Sequence, residues 1–241
     1  MLSKNSVLRR IPVVIEPKTA MFIDGIRHAV EISEFAYQRL SATLTELALN
    51  PPESEELRTI STAVFLDAWA MVDAIDRFRM LYQQMPGISF GAPTPGIMTL
   101  KEACEPFRLL RNVADHIAQR ADFVVSRGNG AALGVLTWLT CFQVEPFNAY
   151  MCMLRPGTLR AVPELENGPL TATFDWPTSR ICLSAGGYEA NLSEIRAHIE
   201  RRVKHLEEQL EQEFIRLGIV DAPAANDVFI RKQGTVTFPN R

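Results

Sequence analysis

The apolar residues of this chain change their spacing at Gly128-Asn129-Gly130, and that change limits the available folds more than any other feature. Upstream they recur three and four residues apart over long stretches, the spacing that lines one stripe of an α-helix. From about Lys18 to Leu49 the stripe includes Phe22, Ile26, Val30, Phe35, Leu40 and Leu44. Asn50-Pro51-Pro52 ends it, because proline offers no N–H to the helical ladder and pushes its predecessor out of helical backbone. A second helix is expected from about Ser54 to Gln84, opening on Glu55 and Glu56, acids suited to the positive end of the helix dipole. Val64, Ala68, Met71, Ile75 and Phe78 form its apolar side, and Met85-Pro86-Gly87 stops it. The segment from there to Gly96 is rich in proline and glycine and reads as a loop. Thr99, with Glu102 as its capping-box partner, then opens a third helix. Its pattern runs to about Ser126, with Phe107, Leu110, Ala114, Ile117, Ala121 and Val124 on the core stripe.

Downstream the runs shorten and fit strands. Leu133–Phe142 and Ala149–Leu154 flank a turn containing Pro146, and Leu170–Phe174 and Ile181–Ser184 follow. Asn191 is placed to cap a long charged helix reaching Leu217, with Leu192, Ile195, Ile199, Val203, Leu206 and Leu210 on one side. Val228–Ile230 and Thr235–Phe238 read as edge strands or as chain without regular structure. The fold class is therefore α+β: an antiparallel helical bundle over residues 1–130, then a small antiparallel sheet and a long C-terminal helix over 131–241. The two parts pack either as separate domains or as one.

Charge and cysteine usage narrow the partners. A net charge of −3 provides no global basic field of the kind a nucleic-acid coating protein carries, although a local basic site remains open. The longest apolar runs are too short for a bilayer, and the N-terminus lacks the apolar core of a signal peptide, so a cytoplasmic protein without a membrane partner is expected. Cys104, Cys141, Cys152 and Cys182 are widely spaced and form no C-x-x-C pair, which argues against a zinc ribbon and for thiols that fill core space.

Few residue clusters suggest chemistry. No phosphate-binding glycine loop, dinucleotide fingerprint or zinc-protease motif occurs. His198 and His205 share a helix face with Arg201, Arg202 and Lys204, which repel a cation, so that face reads as solvated rather than metal-binding. No metal or cofactor is expected. Asp67, Asp73 and Asp76 lie on the second helix, but Asp67 and Asp73 are turned about 120° from a common face, and Asp73 pairs with Arg77 at i,i+4. These acids read as structural.

The third helix is more informative. It carries Arg111-Asn112-Val113-Ala114-Asp115-His116, an arginine followed by a polar residue, then three residues, then a histidine. This segment resembles the R-x4–6-H signature of the HEPN superfamily, helical-bundle proteins of which many are RNA-cleaving toxins or defence nucleases. Asp67 to Phe78, with Leu81 after it, is similar to the second helix of bacterial members of that group, and the likeness extends over roughly residues 18–127. It implies a metal-independent endoribonuclease acting as a homodimer, in a toxin or phage-defence setting where a regulatory protein partner is also expected. Its catalytic residues would be Arg111, Asn112 and His116. The alternative is a non-catalytic HEPN-like module that binds RNA, a nucleotide or a protein.

The residue types suit that chemistry. RNA supplies its own 2′-hydroxyl nucleophile, so cleavage needs a base near neutral pKa, an acid for the leaving oxygen and a cation for the phosphorane. Histidine fits the first two tasks and arginine the third. One histidine per chain has two proton transfers to perform, which a two-fold dimer would resolve by bringing a second to the same groove. On an ideal helix Arg111 and His116 leave the axis about 140° apart, whereas Arg108, Asn112, His116 and Arg120 line up at successive i,i+4 steps. Arg108 and Arg120 are therefore the expected substrate-binding residues. A purely structural assignment competes, with Arg111 paired to Asp115 and His116 bonded at the bundle boundary.

Overall fold

The computed structural model describes residues 2–87, 98–119, 121–126, 131–157 and 176–233. The two long N-terminal patterns form α1 (Pro17–Leu49) and α2 (Ser54–Gln83). Glu16 caps α1 by accepting from the backbone N–H groups of Lys18 and Thr19, and Pro17 sits at the first turn, where its missing N–H is not needed. The reversal at residues 50–53 makes the two helices antiparallel neighbours, with Gly25 beside Leu81 near the end far from the reversal and Arg39 beside Asp67 along the middle. A Cβ at Gly25 would fall 2.7 Å from Leu81 Cδ1, so this glycine permits the close approach.

The capping box at Thr99 and Glu102 forms as expected and opens α3 (Leu100–Asp115). The helix does not continue to Ser126. It stops at Asp115, a turn follows, and α4 (Ala121–Ser126) is a separate short helix. The expected core stripe changes accordingly: Val113 is buried, Ala114 and Ala121 are exposed, Ile117 is half-buried, and the side chain of Val124 lies outside the described set. Phe35 of α1 also departs from expectation, being 61% exposed with the Arg39 guanidinium over its ring.

The second half forms a four-stranded antiparallel sheet in the order β2-β1-β3-β4, from β1 (Val135–Gln143), β2 (Asn148–Leu154), β3 (Thr178–Ala185) and β4 (Tyr188–Asn191). The expected strand at Leu170–Phe174 lies outside the described residues. β4 is an addition, formed because Gly186 and Gly187, both at positive φ, close a tight hairpin after β3. Asn191 Oδ1 accepts from the N–H groups of Ser193 and Glu194, a turn that leads into α5 (Ile195–Leu217), which ends on Gly218 in left-handed backbone. Val228–Ile230 has no regular structure, and Thr235–Phe238 lies outside the described residues.

One hydrophobic cluster joins these parts. Residues of α1, α2 and α3 (Leu40, Met71, Phe107) share it with Leu136, Ile181 and Leu183 of the sheet and with Ile199 and Leu206 of α5. A buried hydroxyl chain supports the junction: Thr178 Oγ1 lies 2.7 Å from both Thr45 of α1 and Thr140 of β1. Gly186 rests against Val113 of α3, close enough that a Cβ there would meet Val113 Cγ1 at 2.8 Å. The sheet therefore abuts the last buried position of α3.

Candidate functional site

α2 and α3 together position the arginine of the signature. Asp73 and Asp76 are three residues apart on α2 and face the same side, toward Arg111 on α3. Arg111 Nη1 donates to Asp76 Oδ2 at 3.0 Å, and its Nη2 lies 3.4 Å from Asp73 Oδ1. Both acids have a second arginine. Asp76 accepts from Arg79 at 2.8 Å, and Asp73 accepts from Arg77 at 2.7 Å. The result is a chain of alternating charge, Arg77–Asp73–Arg111–Asp76–Arg79, shielded at one end, where the side chains of Asp76 and Arg79 are 6% and 15% exposed. The expected pairing of Arg111 with Asp115 is the weakest contact of the group, at 3.9 Å.

His116 has a different environment. It is the C-cap of α3, with φ −120° and ψ 25°, and it is exposed. Its ring forms no hydrogen bond with a described residue, so the boundary bond expected of a structural histidine is not among the described contacts. Asn112 is half-buried one turn earlier. The expected row Arg108-Asn112-His116-Arg120 is not carried through on one helix, because α3 ends at its third member and Arg120 lies outside the described residues. Arg108 is exposed and paired with Glu105 at 2.5 Å, a contact that holds the Glu105 carboxyl below its usual range.

Beside this ion-pair chain lies an open pocket of about 430 Å³. Trp69, Val72, Ile117 and Leu133 are among its apolar lining residues, and Arg111, Asp73 and Asp115 are its charged ones. The indole N–H of Trp69 donates to the Leu133 carbonyl at 3.1 Å, which fixes the ring against the segment leading into β1. Sequence reasoning singled out Arg111 and missed both its acidic partners and this pocket. The i, i+3 spacing of Asp73 and Asp76 was the available signal, but it becomes a site only once α3 packs against α2.

Other titratable clusters are less suited to chemistry. Asp24, His28 and Asp227 bring three ligand atoms within 4.8 Å of one another. Arg27 Nη2 contacts both carboxylates, at 2.8 and 3.0 Å, and so supplies the positive charge a metal ion would bring. Neither His198 nor His205 joins a possible metal-binding group among the described residues, and His205 instead lies 3.0 Å from Gln209. Burial pushes the thiols of Cys104 and Cys182 up to about 12, so neither is a ready nucleophile. No helix among the described residues is long and apolar enough to cross a membrane.

No family model, curated protein or solved structure matches this chain.

Proposed function

We propose that this chain is a metal-independent endoribonuclease of the HEPN type, acting as a homodimer. The reading is carried by the exposure of His116 at the end of α3, without a described partner and within one helix turn of Asn112. An imidazole in that setting exchanges protons with a docked substrate, whereas one bonded into the bundle would not. His116 takes the proton of an RNA 2′-hydroxyl as its oxygen bonds to the adjacent phosphorus. The bond from phosphorus to the 5′-oxygen breaks, and that oxygen receives a proton, leaving a 2′,3′-cyclic phosphate and a 5′-hydroxyl. His116 of a second copy, brought to the same groove by two-fold symmetry, performs the other transfer. Arg111 neutralises charge on the phosphorane, Asn112 orients the histidine or the substrate, and Arg108 and Arg120 hold flanking phosphates. A toxin or phage-defence role, with a regulatory protein partner, belongs to the same proposal.

One observation favours the second reading, a non-catalytic HEPN-like module. The Arg111 guanidinium already contacts Asp76 and Asp73, so a phosphate reaching it competes with two carboxylates. RNA incubated with the purified protein in a chelator separates the two. The nuclease reading predicts new ends bearing cyclic phosphate and 5′-hydroxyl. Intact RNA at high protein concentration favours the binding module, and ends bearing 5′-phosphate contradict the mechanism.

A further inference from the structure

We infer that the pocket between α2, the end of α3 and the approach to β1 binds an unpaired guanine base of the RNA, with Asp115 reading its edge. This inference rests on the nuclease reading for its biological substrate. Its physical basis is separate. The pocket combines the indole of Trp69 and the apolar Val72 and Leu133 with a few charged groups, Asp73, Arg111 and Asp115, a lining that suits a planar heteroaromatic ring with polar edges. Its volume, about 430 Å³, lies within the usual range for small-ligand sites.

Asp115 decides the class of base. It is the last residue of α3, where the negative end of the helix dipole disfavours an acid. Its side chain is 62% exposed, and its closest described cation, Arg111 Nε, lies 3.9 Å away, beyond hydrogen-bond distance. The fold gains little from a carboxylate here. A guanine edge presents an N1–H and an N2 amino group side by side, two donors matched to the two oxygens of one carboxylate. Uracil presents a single donor between two carbonyls, and adenine and cytosine each place an acceptor next to the amine, so a carboxylate repels part of every other edge. Asp73 is poorly placed for this reading task because Arg77 and Arg111 already engage both its oxygens. Arg111 lines the same pocket, and His116 directly follows Asp115 in the chain.

Calorimetric titration of the full chain with the four nucleoside 5′-monophosphates tests this. Guanosine monophosphate should bind about tenfold more tightly than the uridine compound, the discrimination one two-point contact gives. Asp115→Asn should abolish that preference with the melting temperature unchanged or raised, because the amide turns a donor toward the donors of the base. Trp69→Ala should weaken all four nucleotides alike. Equal affinities, no binding, or a preference that survives Asp115→Asn overturns the inference. RNA cleavage is scored separately. Cleavage that depends on His116 without any guanine preference removes the pocket and leaves the nuclease. Guanine preference in a protein that never cuts RNA removes the nuclease and leaves the pocket.

Discussion

Asp76 sits between two guanidinium groups, and its loss should cost more than the loss of either. Removing it leaves Arg79 and Arg111 facing each other with no intervening charge, whereas removing Arg111 leaves Asp76 still bonded to Arg79. Because both arginines retain some access to water, Asp76→Ala should destabilise by about 3 kcal/mol, the low end for a broken buried pair. Arg111→Ala should cost about 1 kcal/mol. Urea denaturation of the two variants checks the order, and equal losses would contradict it. Asp67 behaves differently. Burial raises its pKa above the ordinary carboxylate value, and Arg39 only partly offsets this. The folded chain therefore holds that proton to higher pH than the unfolded chain does. Stability falls as pH rises between the ordinary value and the raised one, and the full cost is present above that window. Asp67→Asn cannot ionise, so its melting temperature should gain on that of the natural chain through the window and keep the gain above it. A gap that stays constant with pH would contradict the assignment. At this scale the sequence made local pairs readable: Asp73 with Arg77 follows from i,i+4 spacing alone. The Arg111–Asp76 bond spans 35 positions and depends on how two helices pack, which no local spacing encodes.

Elements were readable wherever a chemical stop signal marks them. Proline ends α1, the Thr99–Glu102 box opens α3, and a left-handed glycine closes α5. The end of α3 has no such mark, since neither glycine nor proline follows Asp115 before Gly128. The helix ends where packing ends. Val113 is its last buried residue, held against Gly186 of the β3–β4 turn, and among the described side chains from Ala114 to Val125 none is buried to repay a continuation of the same helix. β4 was missed for a related reason, because four residues are too few to show an alternation and only the glycine pair before it creates the hairpin. Two substitutions test this junction. Leu110→Ala, at a position with no exposure, should destabilise by roughly 2–5 kcal/mol. Gly186→Ala should destabilise by about 1 kcal/mol or more, because it combines a positive φ of 56° with a contact against a stiff β-branched side chain. Thermal melts check both. A neutral Gly186→Ala would mean that the hairpin does not rest on α3 as described.

At the scale of the whole molecule, the two halves that differ so clearly in sequence texture share one apolar cluster and the Thr45–Thr178–Thr140 hydroxyl chain. Texture revealed the class of each half but not how the halves meet, because that contact joins residues far apart in the chain, 64 positions for Trp69 and Leu133 and 133 for Thr45 and Thr178. The proposed mechanism also makes a claim about assembly: one histidine per groove is too few for two proton transfers, so the active species should be a dimer. Sedimentation at working concentration should give twice the 27.0 kDa chain mass, and a monomer throughout would contradict the shared groove. The central claim is that His116 acts in chemistry rather than in folding. RNA cleavage by the purified protein in a chelator, compared with that of His116→Ala and Arg111→Lys, tests it most directly. His116→Ala should lose a factor of roughly 10² to 10⁴ in rate while its melting temperature stays within a degree or so of the natural chain, because an exposed imidazole contributes little packing. Arg111→Lys should also be slow, since an ammonium cannot reproduce the planar fork on a phosphate. A His116→Ala protein that melts lower and cleaves as fast as the natural chain, or a natural chain that does not cleave, would contradict the account.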